Sequence, residues 1–211
     1  MISYNKVNPR LTDYVQSYIF PQYNKNESGH GLEHIEYVLR RCFMFSEQFQ
    51  DLNYDILYTI AAYHDIGHHI DKKHHEIISA EIFMKDDFMK SFFNDSEREI
   101  IKEAIEDHRA SGKTPPRSDY GKIISSADRS TDLDDFLKRT HSYTLKHFSP
   151  KSNEEIIERA YEHTSDKYGS QGYAKHYLKD DEYDSFLKNI RNLLKDKNAF
   201  SEYYKNLTGI K

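Results

Sequence analysis

The sequence predicts an all-α fold, a helical bundle, and three observations predict it. Breakers are scarce, with 8 Gly and 5 Pro in 211 residues. The stretches between them carry apolar residues at alternating spacings of three and four, and no segment alternates apolar with polar as a half-buried strand would. A first helix is expected from about Leu32 to Phe49, where Ile35, Val38, Cys42, Phe45 and Phe49 share one stripe. A second starts near Tyr54 and puts Leu57, Ile60, Ala61 and His64 on one face, with Gly67 where a C-terminal cap belongs. A third begins near Glu76 and carries Ile78, Ile82 and Phe83. The fourth is expected to open on Ser96 and Glu99, spaced as a capping box, and to run through Ile101, Ala104, Ile105 and His108. Ala110 to Asp119, with Gly112, Pro115 and Pro116, is a loop, because proline lacks the backbone donor and restricts the residue before it. A fifth helix spans about Tyr120 to Ala127, and the chain is expected to continue helically towards His147. Beyond Pro150 come a helix near Glu154 to Tyr168, a break at Gly169 to Gly172, and a last helix striped by Tyr183, Phe186, Leu187, Ile190 and Leu194. With no flexible linker and no repeat, residues 1–211 read as one all-α domain, a core over 25–150 with the helices of 151–211 packed on it.

Hydrophobic residues are 37% and charged residues 31% of the chain, so the 17 Tyr and 12 Phe must supply much of the core volume. The formal charge of −5 provides no global basic field, which argues against a nucleic acid polymer as partner. One cysteine, Cys42, excludes an intramolecular disulfide and any zinc site built from several thiolates, as expected of a cytoplasmic protein. The apolar run Ile56 to Tyr63 is far short of the roughly 20 residues of a membrane span, and the N-terminal residues lack a signal-peptide stretch, so no membrane partner is expected. Tyr161, Tyr168, Tyr173, Tyr177, Tyr183, Phe186, Phe200, Tyr203 and Tyr204 in the tail suit core packing, the commoner use, or a homodimer surface.

Of 12 histidines, those at 30, 34, 64, 68, 69, 74 and 75 crowd into under a quarter of the chain. His141, His147, His163 and His176 suit surface or core roles and are assigned nothing. His34, His64, Asp65, His108 and Asp128 differ, because each lies at or beside the apolar stripe of a separate helix, and those stripes must converge. His64 and Asp65 are about 100° apart on a helix, yet from its end both can face one cavity. Neutral imidazole nitrogens and carboxylate oxygens bind divalent first-row ions without a thiolate. The plainer reading is a buried, hydrogen-bonded His–Asp pair with no ion.

The order His34, then His64–Asp65 within Ala61-Ala62-Tyr63-His64-Asp65-Ile66-Gly67-His68, then Asp128 at the end of Lys122-Ile123-Ile124-Ser125-Ser126-Ala127-Asp128, resembles the HD-domain superfamily of metal-dependent phosphohydrolases over about residues 28–147. The resemblance implies that His34, His64, Asp65 and Asp128 ligate a first metal and that Asp65 bridges to a second. His75, four residues before Ser79, and His108, near Gly112, match the further ligands of two-metal members; in mononuclear relatives such histidines hold phosphate. The implied cofactor is thus one or two divalent ions per chain, among Mn, Mg, Fe, Co, Ni and Zn. Cyclic dinucleotide phosphodiesterases of this superfamily carry lysine where His68 stands and a GYP loop absent from Arg109 to Gly121. Alarmone hydrolases have an acidic pair where His68 and His69 follow Gly67. A small phosphorylated substrate, with a nucleotide as first choice, is what remains.

A bound divalent ion lowers the pKa of coordinated water from 15.7 towards about 7 and neutralises a phosphoryl oxygen. Asp65 or Asp128 would orient that water, and Arg109 and Arg129, with Lys113, Arg117 and Lys122 behind them, would hold phosphate oxygens. Arg129, about 100° round from its neighbour, suits an ion pair equally well. His30, between Gly29 and Gly31, is a substrate contact, a proton donor or a plain loop histidine. His68, with His69 and His74, sits on a loop after Gly67 where a neutral ring could protonate a leaving oxygen, the alternative being a solvated loop with Asp71, Lys72 and Lys73. Two other functions fit the same ligand types: a di-iron oxygenase, and a non-catalytic module whose metal only staples helices.

Overall fold

A computed structural model describes residues 5–27, 29–112 and 114–210. Among them every regular element is helical, and the chain separates into two compact units. The first takes the described residues up to Asp128 together with 176–178; the second takes Arg129–Lys175 and the described residues from Lys179 onward.

The first unit begins with a helix absent from the sequence reading. Asn8 accepts a hydrogen bond from the Arg10 backbone, Pro9 opens the first turn, and α1 runs over Pro9–Tyr14. It widens into a π-helical stretch over Val15–Ile19 and tightens into a 3₁₀ stretch over Phe20–Lys25. Leu11, Val15, Ile19 and Tyr23 are all buried. In a regular α-helix a spacing of four drifts about 40° per step, so a stripe at that spacing stays on one side only where the winding opens.

α2 (Leu32–Ser46) buries Ile35, Val38, Cys42 and Phe45 as expected, but stops three residues short of Phe49, where 47–49 wind into tight turns. α3 (Tyr54–Tyr63), capped by Asn53, is buried on every side from Ile56 onward and is the central helix, packed against α2, α6 and α7. α4 (His75–Lys85) and α5 (Asp87–Phe92) follow. α6 (Asp95–Asp107) is capped not by Ser96 and Glu99 but one pattern earlier. Asn94 Oδ1 accepts from Glu97 N at 3.0 Å and Glu97 Oε2 accepts from Asn94 N at 3.0 Å, which leaves Ser96 already inside the helix. α7 (Asp119–Ala127) does not continue towards His147. Asp128 leaves the helical conformation, and a new helix starts at Leu133 with Asp132 as its cap.

The second unit holds α8 (Leu133–Phe148), α9 (Asn153–Tyr168), α10 (Asp181–Leu193) and α11 (Lys197–Thr208), the last capped separately by Asp196. Its own core gathers Phe136, Leu137, Ile157, Ala160, Tyr168, Tyr183, Phe186, Ile190, Phe200 and Tyr204. Most of the tail aromatics therefore fill a core, while Tyr173 and Tyr203 are exposed and Tyr177 groups with the first unit. The unit boundary at Asp128 assigns α8 to the tail helices rather than to a core reaching residue 150.

Candidate metal centre

Five helix ends of the first unit bring imidazoles and carboxylates together. His34 is in the first turn of α2, and His75 opens α4. His64, His108 and Asp128 are the C-caps of α3, α6 and α7. Asp65 follows His64, and its turn runs against α4. Gly67 permits that approach: a Cβ there would stand 2.7 Å from Ile78 Cγ2 and 2.9 Å from Ser79 N, and Gly67 N donates to Ser79 Oγ at 3.0 Å. The glycine expected as a helix cap is thus required by close packing.

Asp65 is buried, and five imidazoles surround its carboxylate. Oδ2 lies 2.7 Å from His30 Nδ1 and 3.6 Å from both His34 Nε2 and His64 Nε2. Oδ1 lies 3.3 Å from His75 Nε2 and 3.4 Å from His108 Nε2. On the first side His34 Nε2 is 3.3 Å from His64 Nε2 and 3.1 Å from Asp128 Oδ1; on the second, His75 Nε2 is 3.0 Å from His108 Nε2. The groups His34–His64–Asp128 and Asp65–His75–His108 each offer ligand atoms close enough to share an ion, and so does His30–His34–Asp65.

The donor chemistry fits a cation. His64 Nδ1 is 2.8 Å from Ala61 O, His75 Nδ1 is 2.9 Å from Lys72 O and His108 Nδ1 is 2.6 Å from Ile105 O. A carbonyl only accepts, so each Nδ1 carries the proton and each Nε2 presents a lone pair to the cluster. Lone pairs facing each other at 3.0 Å repel unless a proton or a cation sits between them. For bonds of about 2.1 Å, two ligand atoms stand about 3.0 Å apart at a right angle and about 3.4 Å apart at the tetrahedral angle, which brackets most of these separations. The shorter His30–Asp65 contact is a hydrogen bond.

Burial supplies the ligating protonation state. It lowers the His64 imidazole to about 4 and also lowers His75, keeping both neutral. Burial works against ionisation of Asp65 and Asp128, but the facing imidazoles prevail, His64, His108 and His30 for the first and His34 for the second, and hold both below the usual carboxylate range. His108 runs the other way: the Asp65 carboxylate outweighs burial and raises it. His68 is 7% exposed, and burial with the neighbouring His30 lowers it to about 3. Its ring stacks on His30 at 3.9 Å, and its buried Nδ1 has no hydrogen-bond partner among the described residues.

The six residues expected to bind metal, His34, His64, Asp65, His75, His108 and Asp128, are thus brought together, with His68 beside them. The expected cationic contacts have other partners. Arg109 Nη1 donates to both Glu76 oxygens at 2.9 and 3.0 Å and to Lys73 O. Lys122 pairs with Asp119 at 2.8 Å, and Arg117 pairs with Glu106 and Asp107. Arg129 belongs to the second unit and donates to Lys175 O at 3.2 Å. Lys113 lies outside the described residues. Sequence reasoning missed Tyr23 and Asn26, which hold the Asp65 backbone. Tyr23 Oη accepts from Asp65 N at 3.3 Å and donates to Ala62 O at 2.8 Å; Asn26 Nδ2 donates to Asp65 O at 3.0 Å. The buried stripe ending at Tyr23 was the available signal.

No curated protein and no solved structure matches the chain. Residues 31–132 match the family model described as HD domain, a span from the threshold of α2 to the start of the second unit that contains all six ligand-type residues. Over residues 31–132, just under half of its length, the chain is thus similar to the HD domain, whose family is generally one of metal-dependent phosphohydrolases.

Proposed function

We propose that the protein is a metal-dependent phosphohydrolase that cleaves a phosphate ester or anhydride of a small molecule, with a nucleotide as the preferred substrate class. The observation that carries this reading is the single carboxylate of Asp65 shared between two pairs of imidazole nitrogens, His34 and His64 on Oδ2 and His75 and His108 on Oδ1. His34, His64, Asp65 and Asp128 would hold one divalent ion, and Asp65, His75 and His108 a second. Bound there, such ions supply Lewis-acid polarisation of a phosphoryl oxygen and a water acidic enough to react near neutrality.

The chain's own residues supply orientation and proton handling. Asp65 and Asp128, ionised within the cluster, accept hydrogen bonds from a reacting water and fix its direction. Burial keeps His68 a neutral ring, and its unsatisfied Nδ1 is the group a substrate oxygen would engage. We assign His68 a hydrogen bond from its neutral ring to the leaving oxygen, with the proton that oxygen finally takes coming from the reacting water, and the stacked His30 steadying the ring. Since Arg109, Lys122 and Arg129 have protein partners, phosphate neutralisation is assigned chiefly to the ion-binding groups.

The test is phosphate release from a panel of nucleotides and sugar phosphates with added Mn²⁺, Mg²⁺ or Co²⁺. Release that disappears in Asp65→Ala and Asp128→Ala is expected. Inactivity across the panel combined with oxygen consumption by Fe²⁺-loaded protein would replace this reading with an oxygenase. Metal uptake without any turnover, with both variants sharply destabilised, would replace it with a stapled, non-catalytic module.

A further inference from the structure

Three side chains of one short segment, residues 23 to 30, converge on Asp65 from a part of the chain that precedes the HD-domain match. The Tyr23 hydroxyl bridges Asp65 N and Ala62 O, at 3.3 and 2.8 Å. Asn26 spreads one amide over three partners: Nδ2 donates to Asp65 O and His30 O, each at 3.0 Å, and Oδ1 accepts from His69 N at 3.1 Å. His30 Nδ1 donates to Asp65 Oδ2 at 2.7 Å. Backbone N–H, backbone carbonyl and carboxylate of a single residue are therefore each held from outside the matched domain. Tyr23 is fixed in turn by burial within the stripe it shares with Leu11, Val15 and Ile19.

The geometry points to a positioning role for this arm: Tyr23, Asn26 and His30 set the orientation of the Asp65 carboxylate, so that Oδ2 addresses His34 and His64 while Oδ1 addresses His75 and His108. The inference rests on the metal-centre reading above and adds residues to it. A carboxylate shared by two ions has to hold its plane, since rotation about the Cβ–Cγ bond turns both oxygens away from their partners together. Outer hydrogen bonds of this kind tune metal affinity on the order of 10–100-fold. Because His30 donates to Oδ2, its loss is felt at the far oxygen as well, through the rotation it had prevented. The expected signature is a weakened second ion rather than a weakened fold.

His30 is the residue to vary, because its side chain is 35% exposed on a loop and the core does not depend on it. The experiment titrates chelator-treated full-length protein with Mn²⁺ and follows stoichiometry, affinity and the electron paramagnetic resonance signal, with melting of the metal-free protein as the folding control. Wild-type protein is expected to bind two ions with the signal of a coupled pair. His30→Leu should weaken the second ion about 10-fold or more and convert the signal towards isolated Mn²⁺, with metal-free melting unchanged. His30→Asn, whose amide nitrogen stands where Nδ1 stood, should restore most of the coupling. His30→Leu with wild-type affinity and signal, or His30→Asn as impaired as His30→Leu, overturns the inference while the metal centre stands. Wild-type protein that takes up no ion overturns both, and neither outcome depends on finding the substrate.

Discussion

At Asp65 one carboxylate faces five imidazole nitrogens, and beside it His68 keeps a buried ring nitrogen with no partner among the described residues. On the proposed function those two features divide the labour between residues that would hold ions and a ring that would hydrogen-bond the leaving oxygen. His68→Ala is accordingly expected to lower kcat on the order of 10²-fold or more without changing the number of ions bound, checked by steady-state kinetics beside elemental analysis. A variant that loses an ion along with its activity would instead make His68 a ligand. His34, His64, Asp65, His108 and Asp128 were legible in the sequence because their chemistry is unusual at the ends of apolar stripes, and His75 through the family resemblance alone. The cations were not. Arg109 is engaged by Glu76, which lies 33 positions away on another helix, and no local pattern announces that pairing. Asn26 was invisible for a related reason, since it acts through an Asp65 backbone atom that carries no residue-specific signal, and for Tyr23 the stripe it ends was the one signal.

Helix ends decide where the ligands stand, so capping is the element-scale determinant. His64, His108 and Asp128 are themselves C-caps, and a helix one turn longer would carry them out of the cluster. The chain continues helically towards His147 as expected, but through a separate helix, because Asp132 offers a capping carboxylate to Asp135 N and restarts the chain after Asp128. The register of α6 was misjudged, since x-x-Glu patterns begin at both Asn94 and Ser96 and only backbone conformation chooses between them. Asn94→Ala should cost about 1 kcal/mol of stability, measured by urea denaturation, with ion stoichiometry intact. An equal loss in Ser96→Ala and none in Asn94→Ala would restore the later cap. The N-terminal helix escaped notice because its four-residue spacing fits a π-widened turn better than the 3.6-residue period sought.

On the scale of the whole molecule, aromatic hydroxyls tie together segments far apart in the chain. Tyr14 and Tyr63 both donate to Asp86 Oδ2, at 2.9 and 2.7 Å, which joins α1, α3 and the junction of α4 with α5. Burial, with Asp86 beside it, pushes Tyr14 up to about 12; burial does the same for Tyr183, and a hydrogen bond to Asp134 for Tyr203. A phenol raised on folding keeps its proton longer in the native state. Its contribution is therefore complete below about pH 10 and is lost as pH rises through about 12. Ultraviolet titration of the 17 tyrosines should resolve an exposed class ionising near pH 10 and a later class that ionises together with loss of helical circular dichroism. One step near pH 10 with the helices intact would contradict this assignment. The sequence reads as one domain whose core reaches residue 150, whereas the compact units divide at Asp128 with residues 176–178 in the first, a grouping set by contacts that no local pattern marks.

The ligand set stretches from His34 to Asp128, so an ion held there clasps together points separated by most of the first unit's chain. Those points come together only in the folded bundle, and a species that binds the native form alone adds about 2.7 kcal/mol at a free concentration a hundredfold above its dissociation constant. Ion binding then adds directly to the stability of the folded bundle. Scarcity of the ion in the surroundings would shorten the protein's lifetime as well as silence its chemistry.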